Sequence, residues 1–142
     1  MQRADLTKAM LDRADLHEAD LGAAQLVKAE MHRTNLTDAH LASSNLERAE
    51  LGRALLVNAN LAGANLRSAY LARADLRKAH LVDADLTDAE FYLSDLRGAD
   101  LSQAKGLVQA QLEDTCGDAT TSLPAGLTPP PSWPCAGGAN GD

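Results

Sequence analysis

A five-residue period runs through most of this chain and restricts the folds open to it. Residues 59–76 read ANLAGANLRSAYLARADL, with a Leu at every fifth position and an Ala two residues before each Leu. In an α-helix, five residues advance by about 500°, so successive Leu side chains would point about 140° apart and form no apolar face. In a flat strand, an odd step would send them to opposite faces. The period predicts a chain that turns a corner every five residues and keeps each Leu inside.

The period divides the chain, without insertion, into twenty units from Ala4 to Gln103. The central residue is Leu in eighteen units, and Met31 and Phe91 occupy the other two. The residue two places before the centre is Ala in seventeen units. The three exceptions are all small, namely Thr34, Ser44 and Ser94. Two positions of each unit therefore point inward and three point outward.

The units resemble those of the pentapeptide repeat family, whose unit is commonly written A(D/N)LXX. Matching units include ADLTK, TNLTD, SNLER, ANLAG, ADLRK and ADLSQ, and the resemblance covers 100 of 142 residues. It implies an all-β fold, a right-handed quadrilateral β-helix in which four units make one square coil. Twenty units then predict five coils. The segment beginning GLVQAQLEDTCGD also resembles the segment that follows the repeats in some bacterial members.

The composition shift after Gln103 predicts three regions. Residues 1–103 form the β-helix, residues 104–116 a helical cap, and residues 117–142 a Pro- and Gly-rich tail with an extended part and a disordered end. Residues 107–115 are expected to form a short helix that lays Leu107 and Leu112 on the open end of the repeat, and Gly117 is placed to end it. Trp133 is expected to anchor the tail.

The composition indicates the cellular compartment in which the protein is expected. No apolar run approaches the roughly 20 residues of a membrane span, and no basic and apolar leader is present at the start. Cys116 and Cys135 lie outside any metal-binding spacing, so two unpaired thiols in a reducing compartment are expected. These features predict a soluble cytoplasmic protein with no metal and no cofactor.

Outward residues twenty apart form columns along the stack, and one column is basic. It contains Arg13, Arg33, Arg53 and Arg73. Such a column suits an acidic protein partner or a phosphate backbone, while the alternative is local ion pairing across a corner, as for Lys28 with Glu30 and Arg48 with Glu50. No aromatic residue interleaves the column to stack on bases, so direct nucleic-acid binding is not expected.

A second group of outward residues lies near the end of the repeat and is apolar. It consists of Tyr70, Tyr92 and Leu93. This group is either a partner-binding patch or the seat of the C-terminal tail, and the nearby Leu, Pro and Trp residues of the tail favour the second interpretation.

The ends of a β-helix carry unpaired backbone groups, so a homodimer is also predicted. One route uses the first coil, whose inward residues Leu6, Leu11, Leu16 and Leu21 have no layer above them. The competing route, used by some members of the family, is the C-terminal end. Here that route would use Leu107, Leu112 and Trp133.

The pattern indicates a noncatalytic protein, because no phosphate-binding Gly loop, paired Cys motif or HExxH is present. A protein-interaction scaffold is the first prediction, since repeat rods commonly act in this way. The alternative comes from the resemblance: some members mimic DNA with an acidic surface and protect DNA gyrase. Charge opposes this, because residues 21–80 sum to about +3 by count, whereas DNA is negative throughout its length.

Overall fold

The computed structural model describes residues 1–135, which form a stack of coils. Parallel backbone bridges join residues twenty positions apart, from Asp5 with Gln25 to Asp85 with Lys105. Four five-residue units therefore complete one coil, and each unit lies directly over the unit one coil earlier. We number the four faces of the stack by the first inward residue of each, so faces 1 to 4 begin with Leu6, Leu11, Leu16 and Leu21.

Regular secondary structure is almost absent from residues 1–135. The bridges are isolated residues rather than continuous strands, and a 3-10 helix at Gln109–Leu112 is the one helix in this part of the chain. Within residues 1–135, none of the helical structure has the length and apolar character needed to cross a membrane. The fold is built from turns joined by single extended residues.

Each unit turns through the two residues that follow its central residue. The carbonyl of Leu6, for example, accepts a hydrogen bond of 2.9 Å from the N–H of Ala9. The third residue of the turn has a positive φ, as in a type II turn. In the units centred on Leu6 to Leu96, this position is Gly only at Gly63 and Gly98. In the other units of this range the positive φ belongs to a residue with a side chain. Those residues accept a backbone conformation that costs about 1–2 kcal/mol each.

The Asp or Asn that precedes many central residues stabilises the turn that follows. The Oδ1 atom of Asn65 accepts the backbone N–H of Arg67 at 3.1 Å, and Asp5 accepts the N–H of Thr7 in the same way at 3.1 Å. Short polar side chains are suited to this bond to the second residue ahead. The Asp and Asn residues of the repeat are therefore structural, and two of them, Asp75 and Asp95, are buried.

The core is a column of Leu and Ala inside the coils. Central residues from Leu21 to Leu101 are at most 2% exposed, while Leu6, Leu11 and Leu16 of the first coil are half-buried. Leu21 was expected to lack a covering layer, and this is wrong. Met1 stands twenty residues before Leu21, and the Arg3 N–H donates to the Gly22 carbonyl at 2.8 Å, so the opening residues cover face 4.

The tail continues the stack with a shifted register. Asp95 pairs with Cys116 and Asp100 with Ser122, separations of 21 and 22 residues in place of twenty. Leu112 is fully buried, and the predicted helix over residues 107–115 is reduced to the single 3-10 turn. The Gln111 side chain donates to the carbonyls of Leu86 and Ala89 at 2.8 and 2.9 Å, which satisfies part of the final edge.

Cys116 and Cys135 form a disulfide, so the expectation of two unpaired thiols is wrong. Their Cα atoms lie 5.4 Å apart, within the usual range for this bond. The Trp133 indole lies over Gly117, where a Cβ would stand about 2.4 Å from the ring, and its Nε1 donates to the Thr115 carbonyl at 3.1 Å. The chain from Cys116 onward thus folds back over the end of the stack. The predicted disordered end, residues 136–142, lies outside the described residues.

Candidate functional site

Face 2 departs from the residue pattern that stabilises the other faces. Each face contains five units. On faces 1, 3 and 4, the residue before the central residue is Asp or Asn in at least three of the five units, whereas on face 2 it is Asp or Asn in none. On face 2 this column is occupied by Met10, Glu30, Glu50, Tyr70 and Glu90. Glu, Met and Tyr side chains are not those that commonly form the short bond to the second residue ahead. Because a departure from a local structural rule is expected at functional sites, face 2 is the candidate site.

The arginine column lies at the corner where face 2 turns into face 3. Arg13, Arg33, Arg53 and Arg73 each occupy the third turn position, with φ between 57° and 61°. Arg13, Arg33 and Arg53 are exposed, and Arg73 is half-buried. The parallel register places them one coil apart, at a backbone spacing of about 4.8 Å. We call these four residues the arginine ladder.

Three arginines of the neighbouring faces form ion pairs with carboxylates. Arg77 Nη2 lies 2.7 Å from Asp75 Oδ2, Arg97 Nε donates to Asp95 Oδ1 at 2.9 Å, and Arg67 Nη1 lies 3.3 Å from Asp85 Oδ2. Hydrogen bonding to Asp75 and Asp95 raises the pKa of Arg77 and of Arg97 above the ordinary value.

Among residues 1–135, no carboxylate oxygen lies within 4.0 Å of the side-chain nitrogens of Arg13, Arg33 or Arg53. The ion pairs expected across the corner, Lys28 with Glu30 and Arg48 with Glu50, are also absent from this part of the chain. Local pairing therefore does not neutralise these three guanidinium groups, and their positive charge faces solvent.

Tyr70 joins the ladder in a cleft of about 370 Å³. The cleft is lined by His32, Arg33, Gly52, Arg53, Tyr70, Ala72 and Arg73. Gly52 provides the room, because a Cβ there would stand 2.9 Å from Tyr70 Cε1 and 3.0 Å from His32 Cδ2. The column itself contains no aromatic residue, but Tyr70 from the opposite edge of face 2 reaches its cleft.

His32 sits between two carboxylates of face 2. Its backbone N–H donates to Asp12 Oδ1 at 2.8 Å, its Nδ1 lies 3.3 Å from the same atom, and its Nε2 lies 3.7 Å from Glu50 Oε2. Its ring centroid is 6.3 Å from that of Tyr70. These contacts hold the imidazole as one wall of the cleft.

The other two residues of the predicted apolar group lie by the tail instead. Leu93 N–H donates to the Asp114 carbonyl at 3.1 Å, and Tyr92 lines a hollow with Gln111 and Glu113. Tyr92 is 56% exposed, so the tail does not cover it. Tyr92 and Leu93 thus lie next to the tail, one coil beyond Tyr70 on the same face.

The residues considered for self-association fall into two classes. Leu6, Leu11 and Leu16 keep exposed surface, whereas Leu21 and Leu112 have none. Leu107 and Trp133 are half-buried against the core of the same chain. The C-terminal residues are therefore used within this chain, and the contribution expected of Leu112 to a dimer contact is not available in this structure.

The described residues contain no group of three or more His, Cys, Asp or Glu side chains arranged to hold a metal. What face 2 offers is a row of guanidinium groups, an aromatic ring and a recess formed over small residues. Guanidinium groups bind carboxylates and phosphates in a planar fork, so the chemistry of the cleft is recognition of anionic groups.

Comparison with known proteins identifies the fold and the family. The pentapeptide repeats family matches residues 1–38, 34–71 and 64–103, with eight copies. The chain belongs to the pentapeptide repeat family. A comparison with curated protein sequences gives no match.

Solved pentapeptide repeat structures are similar to the chain over most of its length. Rfr23 from the cyanobacterium Cyanothece 51142 is 32% identical, with a TM-score of 0.59 over 66% of this chain and 63% of that protein. HetL from Nostoc sp. strain PCC 7120, involved in heterocyst differentiation regulation, is 31% identical, with a TM-score of 0.51 over 84% and 62%. QnrB1, a plasmid-mediated fluoroquinolone resistance protein, is 17% identical, with a TM-score of 0.68 over 88% and 64%.

The chain spans less than two thirds of the length of Rfr23, HetL and QnrB1. The likeness to QnrB1, at 17% identity, concerns the fold alone.

Proposed function

We propose that this protein is a noncatalytic protein-interaction scaffold and that its partner binds to face 2. The observation that carries the proposal is the absence of Asp and Asn from the turn-stabilising column of face 2, where Tyr70 and three Glu residues stand instead. Tyr and Arg are enriched among the residues that dominate binding energy in protein interfaces. The cleft brings Tyr70 together with Arg33, Arg53 and Arg73.

The architecture that presents this face is proposed to be that of the family. The twenty-residue register supports a right-handed quadrilateral β-helix with twenty units in five coils over residues 1–103. Residues 104–116 then form the cap and residues 117–142 the tail. Such a rod is rigid along its length, because each coil is bonded to its neighbours, and it would hold side chains of one face at fixed spacing.

The proposal is tested by capture from an extract of the native cells. The immobilised protein is compared with a Tyr70→Ala, Arg53→Gln variant and with a Ser43→Ala, Asn58→Ala control altered on other corners. A partner retained by the wild type and the control, and lost with the face 2 variant, is the expected result. Equal retention by all three proteins would place the interface elsewhere, and no retained partner would refute the proposal.

Topoisomerase protection is the alternative, and a gyrase supercoiling assay with a quinolone separates it from the scaffold proposal. A DNA mimic requires negative charge along its length, whereas Arg13, Arg33 and Arg53 place positive charge on this rod with no carboxylate within 4.0 Å among residues 1–135. We therefore expect no protection of gyrase.

Two further expectations stay predictions. A homodimer through the first coil would cover Leu6, Leu11 and Leu16, and sedimentation of the intact protein checks it. A cytoplasmic location no longer has support from unpaired thiols, because disulfides persist mainly in oxidising compartments.

A further inference from the structure

We infer that the partner segment recognised by face 2 is an acidic α-helix that lies along the rod with one carboxylate per turn, placed on Arg13, Arg33 and Arg53. This inference rests on the proposed function, since it names the chemistry of the partner bound at the same face. Three observations carry it: the charge of the ladder, its spacing, and the side chains beside it.

Charge selects an anionic partner. Arg13, Arg33 and Arg53 have no carboxylate within 4.0 Å among the described residues, whereas Arg67, Arg77 and Arg97 on nearby faces are paired. A ladder of like charges one coil apart is unfavourable by itself, and a row of carboxylates relieves that repulsion.

Spacing selects the secondary structure of the partner. The ladder advances about 4.8 Å per coil, and an α-helix advances about 5.4 Å per turn. Over the two steps from Arg13 to Arg53 the two differ by about 1.2 Å, which flexible arginine side chains can accommodate. Alternate residues of an extended strand advance about 6.8 Å, so a strand would run about 4 Å out of step over the same distance.

The same comparison of spacings distinguishes an α-helical partner from double-stranded DNA. Phosphates along one strand of double-stranded DNA advance about 3.4 Å along the axis, about 2.8 Å short of the arginines over the two steps from Arg13 to Arg53.

The neighbours of the ladder fix where the helix lies. Beside Arg33 and Arg53, face 3 presents the uncharged Asn35 and Leu55, whereas Asp15 stands beside Arg13; Leu55 is 43% exposed. Glu30 and Glu50 occupy the far edge of face 2. The helix therefore lies over the corner near Leu55, where an apolar residue beside its acidic stripe contacts Leu55 and the acidic edge is avoided.

Matched peptides test the inference on the full chain. One fluorescent Ala-rich peptide of about five turns carries Glu at three- and four-residue spacing on one side with a flanking Leu. A second peptide of the same composition carries its Glu residues every five positions, which disperses them around the helix. A single-stranded oligonucleotide of equal charge is the third probe, and binding is followed by anisotropy at low ionic strength.

The expected result is tighter binding of the striped peptide than of either other probe. Arg33→Gln, Arg53→Gln should weaken that binding about tenfold, from the loss of two ion pairs. The control Lys28→Gln, Arg48→Gln removes the same charge at the next corner and should change the affinity less than about twofold. All substituted positions are turn residues on the surface, and circular dichroism melting confirms that both variants fold.

Three outcomes would overturn the inference: equal binding of the two peptides, tighter binding of the oligonucleotide, or equal loss in the two variants. Any of these, obtained while the native partner is still captured through face 2, refutes the acidic helix and leaves the scaffold function standing. If no partner is captured through face 2, the proposed function itself has failed, whatever the peptides do.

Discussion

Replacing Leu66 with Ala tests whether stability comes from the stacked core. Leu66 is completely buried on face 1, and the bridges of Asn65 with Asn45 and Asp85 place it between Leu46 and Leu86. Leu→Ala substitutions at such sites cost about 2.7–5.0 kcal/mol, and the cost grows with the cavity left behind. The rod cannot collapse around the cavity, because the coils above and below are held in register by backbone hydrogen bonds. We expect a loss of about 3–4 kcal/mol.

Leu11→Ala in the first coil is the matched control. Leu11 is half-buried and has a neighbouring coil on one side only, so the same change should cost roughly half as much, about 1–2 kcal/mol. Urea unfolding followed by circular dichroism measures both losses. Because repeat arrays can unfold in parts, hydrogen exchange should show whether the loss spreads over the adjacent coils. Equal losses for the two variants, or a loss below about 1 kcal/mol for Leu66→Ala, would refute the reasoning.

Three other predictions follow from particular contacts. Cys135→Ser opens the loop closed with Cys116, a separation of 19 residues, and should lower stability by up to about 3 kcal/mol; unchanged thermal melting would contradict this. Gly63→Ala should cost about 1 kcal/mol in urea unfolding because its φ is +67°, whereas Gly22→Ala, at a position without positive φ, should be nearly neutral; equal effects would exclude backbone strain as the cause. The hydroxyl groups of Thr87 and Ser102 hold the pKa of Asp85 and of Asp100 below the ordinary value, so both carboxylates add stability above about pH 4 that is lost as the pH falls through the folded pKa values. Carboxyl NMR titration of Ser102→Ala should show the Asp100 pKa raised, and an unchanged value would reject the hydroxyl as its cause.

The repeat could be predicted from the sequence because its constraint is strictly local. A Leu every five residues and a small residue two places earlier fix the inward positions, and the twenty-residue register follows from four such units per coil. The family assignment made from these units is confirmed.

The turns could not be predicted in the same way. Positive φ is usually signalled by Gly or Asn, yet here residues such as Arg33, Lys78 and Asp88 adopt it. The stacking of coils imposes the conformation, so the cause is tertiary and leaves no local signal.

The candidate site could be predicted only in part, for a related reason. The arginine column is visible at a step of twenty residues, but Tyr70 belongs to another column, and its approach depends on the missing side chain of Gly52 between them. The residue-type pattern before the central positions, with no Asp or Asn on face 2, is a sequence signal that could have singled out this face. The disulfide left no comparable signal, since it depends on the path by which the tail returns to Thr115.

The disulfide between Cys116 and Cys135 makes the two ends of the rod differ in their resistance to tension. Under tension, residues 117–134 cannot be drawn out, because the covalent bond closes the loop that contains them. The force is carried instead to Cys116, whose carbonyl accepts the Leu96 N–H at 2.6 Å within the stack. The described part of the chain shows no such covalent bond at the first coil, where Leu6, Leu11 and Leu16 are half-buried. A molecule pulled from both sides would therefore unwind coil by coil from Ala4 forward, and each rupture would release a length of chain set by twenty residues.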